Sequence, residues 1–175
     1  AEDAPMTVGN FSLRPKTYRG SAQIPEPVIV GENLLHVTRD GNTIREFSLA
    51  DSRDTASADL TILARHLFRG ETIISMAYAQ APDSIVWVVL ETGELYSMTY
   101  MQEHEVWGWT RHELGGTDVK VRQVAVVKEN AYDTPYFVVE RSAFGGTVRS
   151  IERLDTREFN NVENCYFVDA GLKFN

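Results

Sequence analysis

The sequence predicts a mainly β protein made of repeated antiparallel blades of about 50 residues, partly β-propeller-like, with one short α-helix. Three observations predict it. Apolar positions recur at a fixed step, glycine-containing turns recur at nearly the same step, and only one stretch carries helical periodicity.

The step comes from three stretches laid over one another: "NLLHVTRDGNTIREFSLAD", "SIVWVVLETGELYSMTYMQE" and "PYFVVERSAFGGTVRSIERLD". Leu35, Val86 and Phe137 fall together at steps of 51 residues, and the turn glycines Gly41, Gly93 and Gly145 at steps of 52. Ile44, Leu95 and Val148 then open a second strand, with Phe47, Met98 and Ile151 three positions on. Each copy reads as strand, turn, strand, and Asp40-Gly41 is a strong hairpin signal. A further apolar run precedes each hairpin: "EPVIVG", "TIISMAYAQ" and "VRQVAVVKEN". In the second copy a fourth segment, "EVWGWTRHEL", completes the four strands of one propeller blade.

The exception to the β pattern is "SADLTILARHLFRG". Leu60, Leu63, Ala64, Leu67 and Phe68 recur at helical spacing, Ser57 or Asp59 suits the N-cap, and Gly70 suits the stop. The expected organisation is an N-terminal extension over 1–25, then a segment of about three repeats over 26–175. The repeats span 26–57, 71–116 and 119–171, with the helix at 58–69 packing its apolar stripe on the blades. Three repeats are too few to close a propeller, and "AEDAPMTVGN" is neither Met-initiated nor a signal sequence, so a segment of a longer chain is expected.

Composition narrows the function classes. The 175 residues are 43% hydrophobic and 24% charged, an ordinary globular balance. The net charge of −8 argues against recruiting nucleic acid over the whole surface, yet suits a wall that lets it pass. Arg14, Lys16, Arg19, Arg149 and Arg153 are the candidates for a local basic patch. Cys165 is the only cysteine, so no internal disulfide forms, and its "NCYFVDAG" setting suits a buried, inert thiol. No run of 18 apolar residues marks a membrane span.

Candidate chemistry is sparse. A zinc-protease helix needs a second histidine four residues after the first, but Gly108 and Gly116 stand there after His104 and His112. His36 and His66 are isolated, and neither a nucleophile elbow nor a phosphate loop occurs. No metal, cofactor or catalytic residue is expected. In "EVWGWTRHELGG" strand alternation puts Trp107 and Trp109 on one face with Glu105, Arg111 and Glu113. Gly108, with Val106, Thr110 and His112, lies on the other and allows a backbone to approach. The tryptophans are expected to fill the gap between stacked sheets; the competing reading is a sugar-stacking platform on a glycan-binding or glycan-cleaving propeller.

"ADLTILARHLFRG", the long run from "ISMAYAQ" to "WTRHELGG", and "GGTVRSIERLD" resemble the tail tube, nozzle or stabilisation proteins of tailed bacteriophages. The likeness covers about residues 26–175. Its most specific pieces are Asp59-Leu60-Thr61 with His66-Leu67-Phe68, Gln80 to Trp87, and Gly108-Trp109 with Arg111-His112. "YFVDAGLKFN" resembles the point where family members continue into an inserted domain. The resemblance implies a virion protein assembled in the bacterial host cytoplasm. It further implies a homo-oligomeric ring, a hexamer in the full-length protein, that meets other tail proteins and lets DNA through without tight binding. It supplies no catalytic residues. Asp59, His66, Trp107, Trp109, Arg111 and His112 are its candidate structural or interface residues.

Overall fold

A computed structural model describes residues 20–48, 57–156, 158–159, 161–164 and 171. Arg14, Lys16, Arg19 and Cys165 lie outside these residues, as do "AEDAPMTVGN" and most of "YFVDAGLKFN".

The described chain is mainly β: three antiparallel sheets and one short helix, with no closed barrel. The first sheet runs β1 (Val28–Val30), β2 (Asn33–Val37) and β3 (Ile44–Ser48). The central sheet runs β4 (Ile73–Ala79), β5 (Ile85–Leu90), β6 (Leu95–Met101) and β7 (Val106–His112). The third runs β8 (Lys120–Glu129), β9 (Tyr132–Ala143) and β10 (Gly146–Arg153). Strands adjacent in sequence are adjacent in each sheet, because short turns permit only antiparallel neighbours.

Two cores separate the sheets. Leu35, Val37 and Ile44 of the first sheet meet Ile73, Val86, Val88, Leu90 and Met98 of the central one. The opposite face of the central sheet, with Trp87, Val89 and Leu95, meets Val121, Val124, Phe137 and Val139 of the third. The central sheet is therefore covered on both sides. At the first junction buried Asn33 donates to the Tyr100 hydroxyl at 2.9 Å and to Gln102 Oε1 at 2.7 Å. Burial pushes the Tyr100 phenol up to about 12, so it stays protonated there. Trp87 buries its indole N–H without a hydrogen-bond partner among the described residues, a cost of about 1–3 kcal/mol that its packing must exceed.

A repeated latch joins the sheets. The Gly41 carbonyl accepts from Ile73 N–H at 2.8 Å, and the Gly93 carbonyl accepts from Val121 N–H at 2.9 Å. In each case the turn of one sheet receives the leading strand of the next. Both glycines have positive φ, 78° and 96°. An added Cβ would lie 3.3 Å from Thr72 at Gly41, and 2.6 Å from Lys120 at Gly93. Glycine is required at Gly93 twice over, for its φ and for the close approach.

The repeat is looser than its constant step suggests. Leu35, Val86 and Phe137 all lie buried on the second strand of their sheets. Val86 and Phe137 face the preceding sheet, but Leu35 faces the following one, so Leu34 is the directional equivalent of Val86. A one-residue slip reverses every side chain in a strand. Phe47, Met98 and Ile151 likewise pair with Leu34, Val86 and Val138, which puts Ile151 on the opposite face from Met98. The intervening turns explain this: they span 38–43, 90–94 and 144–145, and unequal turns reset the register.

The helix expected at 58–69 is shorter. Asp59 bridges to Arg45, Glu46 N–H donates to the Ala58 carbonyl, and Leu60 N–H donates to Ile44, so 58–60 adds to the edge of the first sheet. Only a 3-10 turn, Ile62–Ala64, and α1 (Arg65–Phe68) follow. Leu60, Ala64 and Phe68 are buried and Leu67 packs beside them, but Leu63 is 92% exposed. The tighter 3-10 turn shifts the phase of the apolar stripe and turns Leu63 to solvent.

Candidate functional site

The six candidate residues divide between two neighbourhoods. Four stand on β7, the outer strand of the central sheet, whose register with β6 runs from Met101↔Val106 to Leu95↔His112. Trp109 lies opposite Met98 and turns into the first core, where its ring centroid is 4.7 Å from Phe68 in an edge-on contact. Its indole N–H donates to the Leu60 carbonyl at 2.9 Å. This side chain pins the segment before α1 to the sheet. Trp107 shares that face by register but is 45% exposed, so the two rings do not jointly fill an inter-sheet gap. The reason is position: β7 pairs on one side only, and Trp107 lies near its start. Glu105, expected in the strand, is in a left-handed turn ahead of it, with φ 52°. Among the described residues no atom approaches within 4 Å of a Cβ built on Gly108, so none of their backbone uses that space.

Arg111 and His112 continue β7. Arg111 pairs with Glu94 at 3.0 Å and Glu113 at 3.6 Å, half exposed, a surface contact of small energetic weight. His112 lies on the other face, where its Nε2 is 2.7 Å from Ser97 Oγ and its ring is 5.0 Å from that of Trp87. A serine–histidine contact is the first requirement of an activated nucleophile, but Ser97 is only 7% exposed and packs beside Trp87 at the second junction. The pair links β6 to β7 as a polar clip on that face.

Asp59 and His66 belong to the second neighbourhood, an open cleft of about 1430 Å³ between the β2–β3 turn and the short helix. Asp59 Oδ1 accepts from Thr61 N–H at 2.9 Å and from Thr61 Oγ1 at 2.7 Å, and Oδ2 lies 3.2 Å from Arg65. Burial pushes this carboxyl up, but the Thr61 and Arg65 hydrogen bonds and the Arg65 charge outweigh it and hold it below the usual range. His66 lines the same cleft, together with Arg39, Arg45, Arg65 and Arg69. Arg45 is held by the Ser57 side chain and carbonyl. The cleft is a basic rim on an acidic chain, suited to anionic groups. Sequence reading missed it because its arginines come from two separate segments, and no period links them.

Asp59 and Trp109 are thus brought close, through Leu60, whereas His66 and His112 are not. Among the described residues, no group of three or more His, Cys, Asp or Glu side chains gathers as metal ligands would. No helix among them is long and apolar enough to cross a membrane. No protein-family model matches this sequence, and no curated protein matches it either.

Proposed function

We propose that this chain is a structural component of a bacteriophage tail, part of a nozzle or tube ring that forms a channel for DNA. The observation that carries the reading is the way the candidate residues are used. Trp109 and His112 each hold one element against another, Asp59 braces the turn that leads into the short helix, and the sheets are locked by the repeated glycine latch. Such a design favours stiffness over chemistry. The acidic balance suits a channel that must release its cargo, because like charges repel at short range and are screened beyond about 8–10 Å at physiological salt.

The glycan-binding alternative needs a flat aromatic platform. Trp107 offers one exposed ring, but Trp109 is turned inward with its N–H already bonded. The tail reading is the better supported.

Two measurements test it. Antibody raised against the chain should label the distal tail of virions from the phage that encodes it; labelling absent from virions, or confined to the head, sinks the proposal. Duplex DNA binding at two salt concentrations should give no measurable complex. Submicromolar affinity that falls steeply with salt would show that a basic face, such as the arginine-lined cleft, governs the contact with DNA.

A further inference from the structure

Arginine is used in two ways in this chain. On β7 and in the third sheet, Arg111, Arg122, Arg141, Arg149 and Arg153 each meet a carboxylate. The cleft beside the short helix departs from that rule. Its arginines enter from two walls: Arg39 and Arg45 from the β2–β3 hairpin, Arg65 and Arg69 from α1 and the residue that caps it. Arg45 is held by Ser57 and Arg65 by Asp59. Arg39 and Arg69 make no hydrogen bond or ion pair among the described residues, and neither does His66 of the same cleft. All three are exposed.

The carboxylates lining the cleft do not answer this charge. Asp40 accepts from the Thr38 hydroxyl through Oδ1, and from Thr43 Oγ1 through Oδ2 at 3.4 Å. Asp59 is engaged by Thr61 and Arg65. Four arginines against two carboxylates leave the lining with a formal charge of +2, on a chain whose net charge is −8. Like charges on facing walls repel, and an anion between them removes that cost. A guanidinium presents its N–H donors as a planar fork that matches the oxygens of phosphate. A phosphate monoester carries about −1.5 to −2 at pH 7, which balances the lining, whereas each phosphodiester of a duplex carries a single charge. At about 1430 Å³ the cleft also exceeds the range of about 300–1,000 Å³ usual for ligand pockets, so it has room for whatever the phosphate is bonded to.

We infer that this cleft binds a doubly charged phosphate group, as the free ion or as a monoester. Arg39 and Arg69 are its principal ligands, and Arg45 and Arg65 are supports fixed in advance by Ser57 and Asp59. The inference goes beyond the tail reading and does not rest on it. Failure of phosphate binding would remove this site and leave the virion labelling to judge the tail reading separately.

The test is calorimetric titration of the full chain with inorganic phosphate, and separately with a nucleoside monophosphate, at constant ionic strength. The wild type should show one saturable site. Replacing both ligands, Arg39→Ala with Arg69→Ala, should weaken it at least about tenfold, because hydrogen bonds between charged groups are lost. The control, Arg111→Ala with Arg149→Ala, removes the same charge from exposed, paired positions and should stay within about twofold of the wild type. Both double variants should keep the wild-type circular dichroism spectrum, since all four side chains are exposed. Tighter binding of the monophosphate identifies an ester as the ligand, and otherwise the free ion is identified; either result upholds the site. Absence of saturable binding in the wild type overturns the proposal. So does affinity that survives the loss of Arg39 and Arg69, or that falls equally in the control. An unphosphorylated DNA duplex or a polyglutamate peptide that binds through Arg39 and Arg69 where phosphate does not would assign the cleft to another ligand, and overturns it as well.

Discussion

The central and third sheets follow one strand plan and end in different surroundings. On β5, Val86, Val88 and Leu90 face the first sheet while Trp87 and Val89 face the third, and all five are 2% exposed or less. On β9, Phe137 and Val139 are buried, but Tyr136, Val138 and Glu140 lie on the face that no other sheet covers among the described residues. The composition follows the covering. "IVWVVL" is apolar without interruption, as a strand buried on both faces must be, whereas "YFVVER" breaks into charge. Ion pairs occupy the open face: Glu140 lies between Arg122 and Arg149 at 2.9 Å each, and Glu129 meets Arg153 at 2.7 Å. The second face of a sheet, more than its hairpin plan, therefore decides which residues it can hold.

The sharpest way to break this contrast is to empty the doubly covered sheet. Trp87→Ala should cost about 3–5 kcal/mol, read as a fall in the denaturant midpoint, because its ring contacts Phe137 and His112 inside the second junction. Ile151→Ala on the open face should stay within about 0.5 kcal/mol in the monomer. Equal losses would mean that the two sheets are covered alike.

The latch offers a second comparison. Gly93→Ala incurs about 1–2 kcal/mol for its left-handed backbone and more for the overlap with Lys120. Gly145→Ala incurs only the backbone part, since its Cβ position is open. Thermal melts of both variants check the order, and a reversal would show that the Gly93 contact is not close in solution.

The two tryptophans of β7 come next. Trp109→Ala loses an aromatic contact of about 0.5–1.5 kcal/mol as well as buried area, and strips the Leu60 carbonyl of its donor. Trp107→Ala, with its half-exposed ring, should cost about 1 kcal/mol and less than its neighbour.

The smallest effect is the part of the pH dependence that Glu140 of the third sheet supplies. Hydrogen bonds from Arg122 and Arg149 lower the Glu140 carboxyl to about 2. A carboxyl depressed in the folded state contributes stability above its unfolded pKa, and loses it as pH falls through the folded value. Stability should therefore decline between pH 4.5 and about 2 in the wild type, and Glu140→Gln should flatten that part of the profile. An identical slope in both proteins would remove Glu140 from the account.

Much of the fold was legible because periodicity reports burial. The apolar run at "TIISMAYAQ", the turn at Asp40-Gly41 and the unbroken run at β5 each express where strands stack against a neighbour. Register was less legible. The constant step from Leu35 to Val86 placed both on second strands but not on equivalent faces, because the step counts residues and turns of different length absorb them. Helical spacing at Leu60, Ala64 and Phe68 was real, yet the hydrogen bonds of 58–60 to β3 took the first turn away. The candidate site was legible as residues and not as a place. The Arg39–Arg69 cleft joins a β-turn to a helix end, and Trp109 reaches Leu60 across 49 positions.

The order of the strands has a consequence for how the chain comes into being. Every pairing within a sheet joins neighbours in sequence, so each sheet closes on short loops, at low entropic cost and without waiting for distant residues. During synthesis from the N-terminus the first sheet can form while the central one is still emerging, and the central before the third. At each stage the newest sheet shows one apolar face to water until the next arrives. The nascent chain is then most vulnerable to aggregation when "IVWVVL" has paired but β8 has not yet covered Trp87, and pausing of the ribosome there would prolong that exposure.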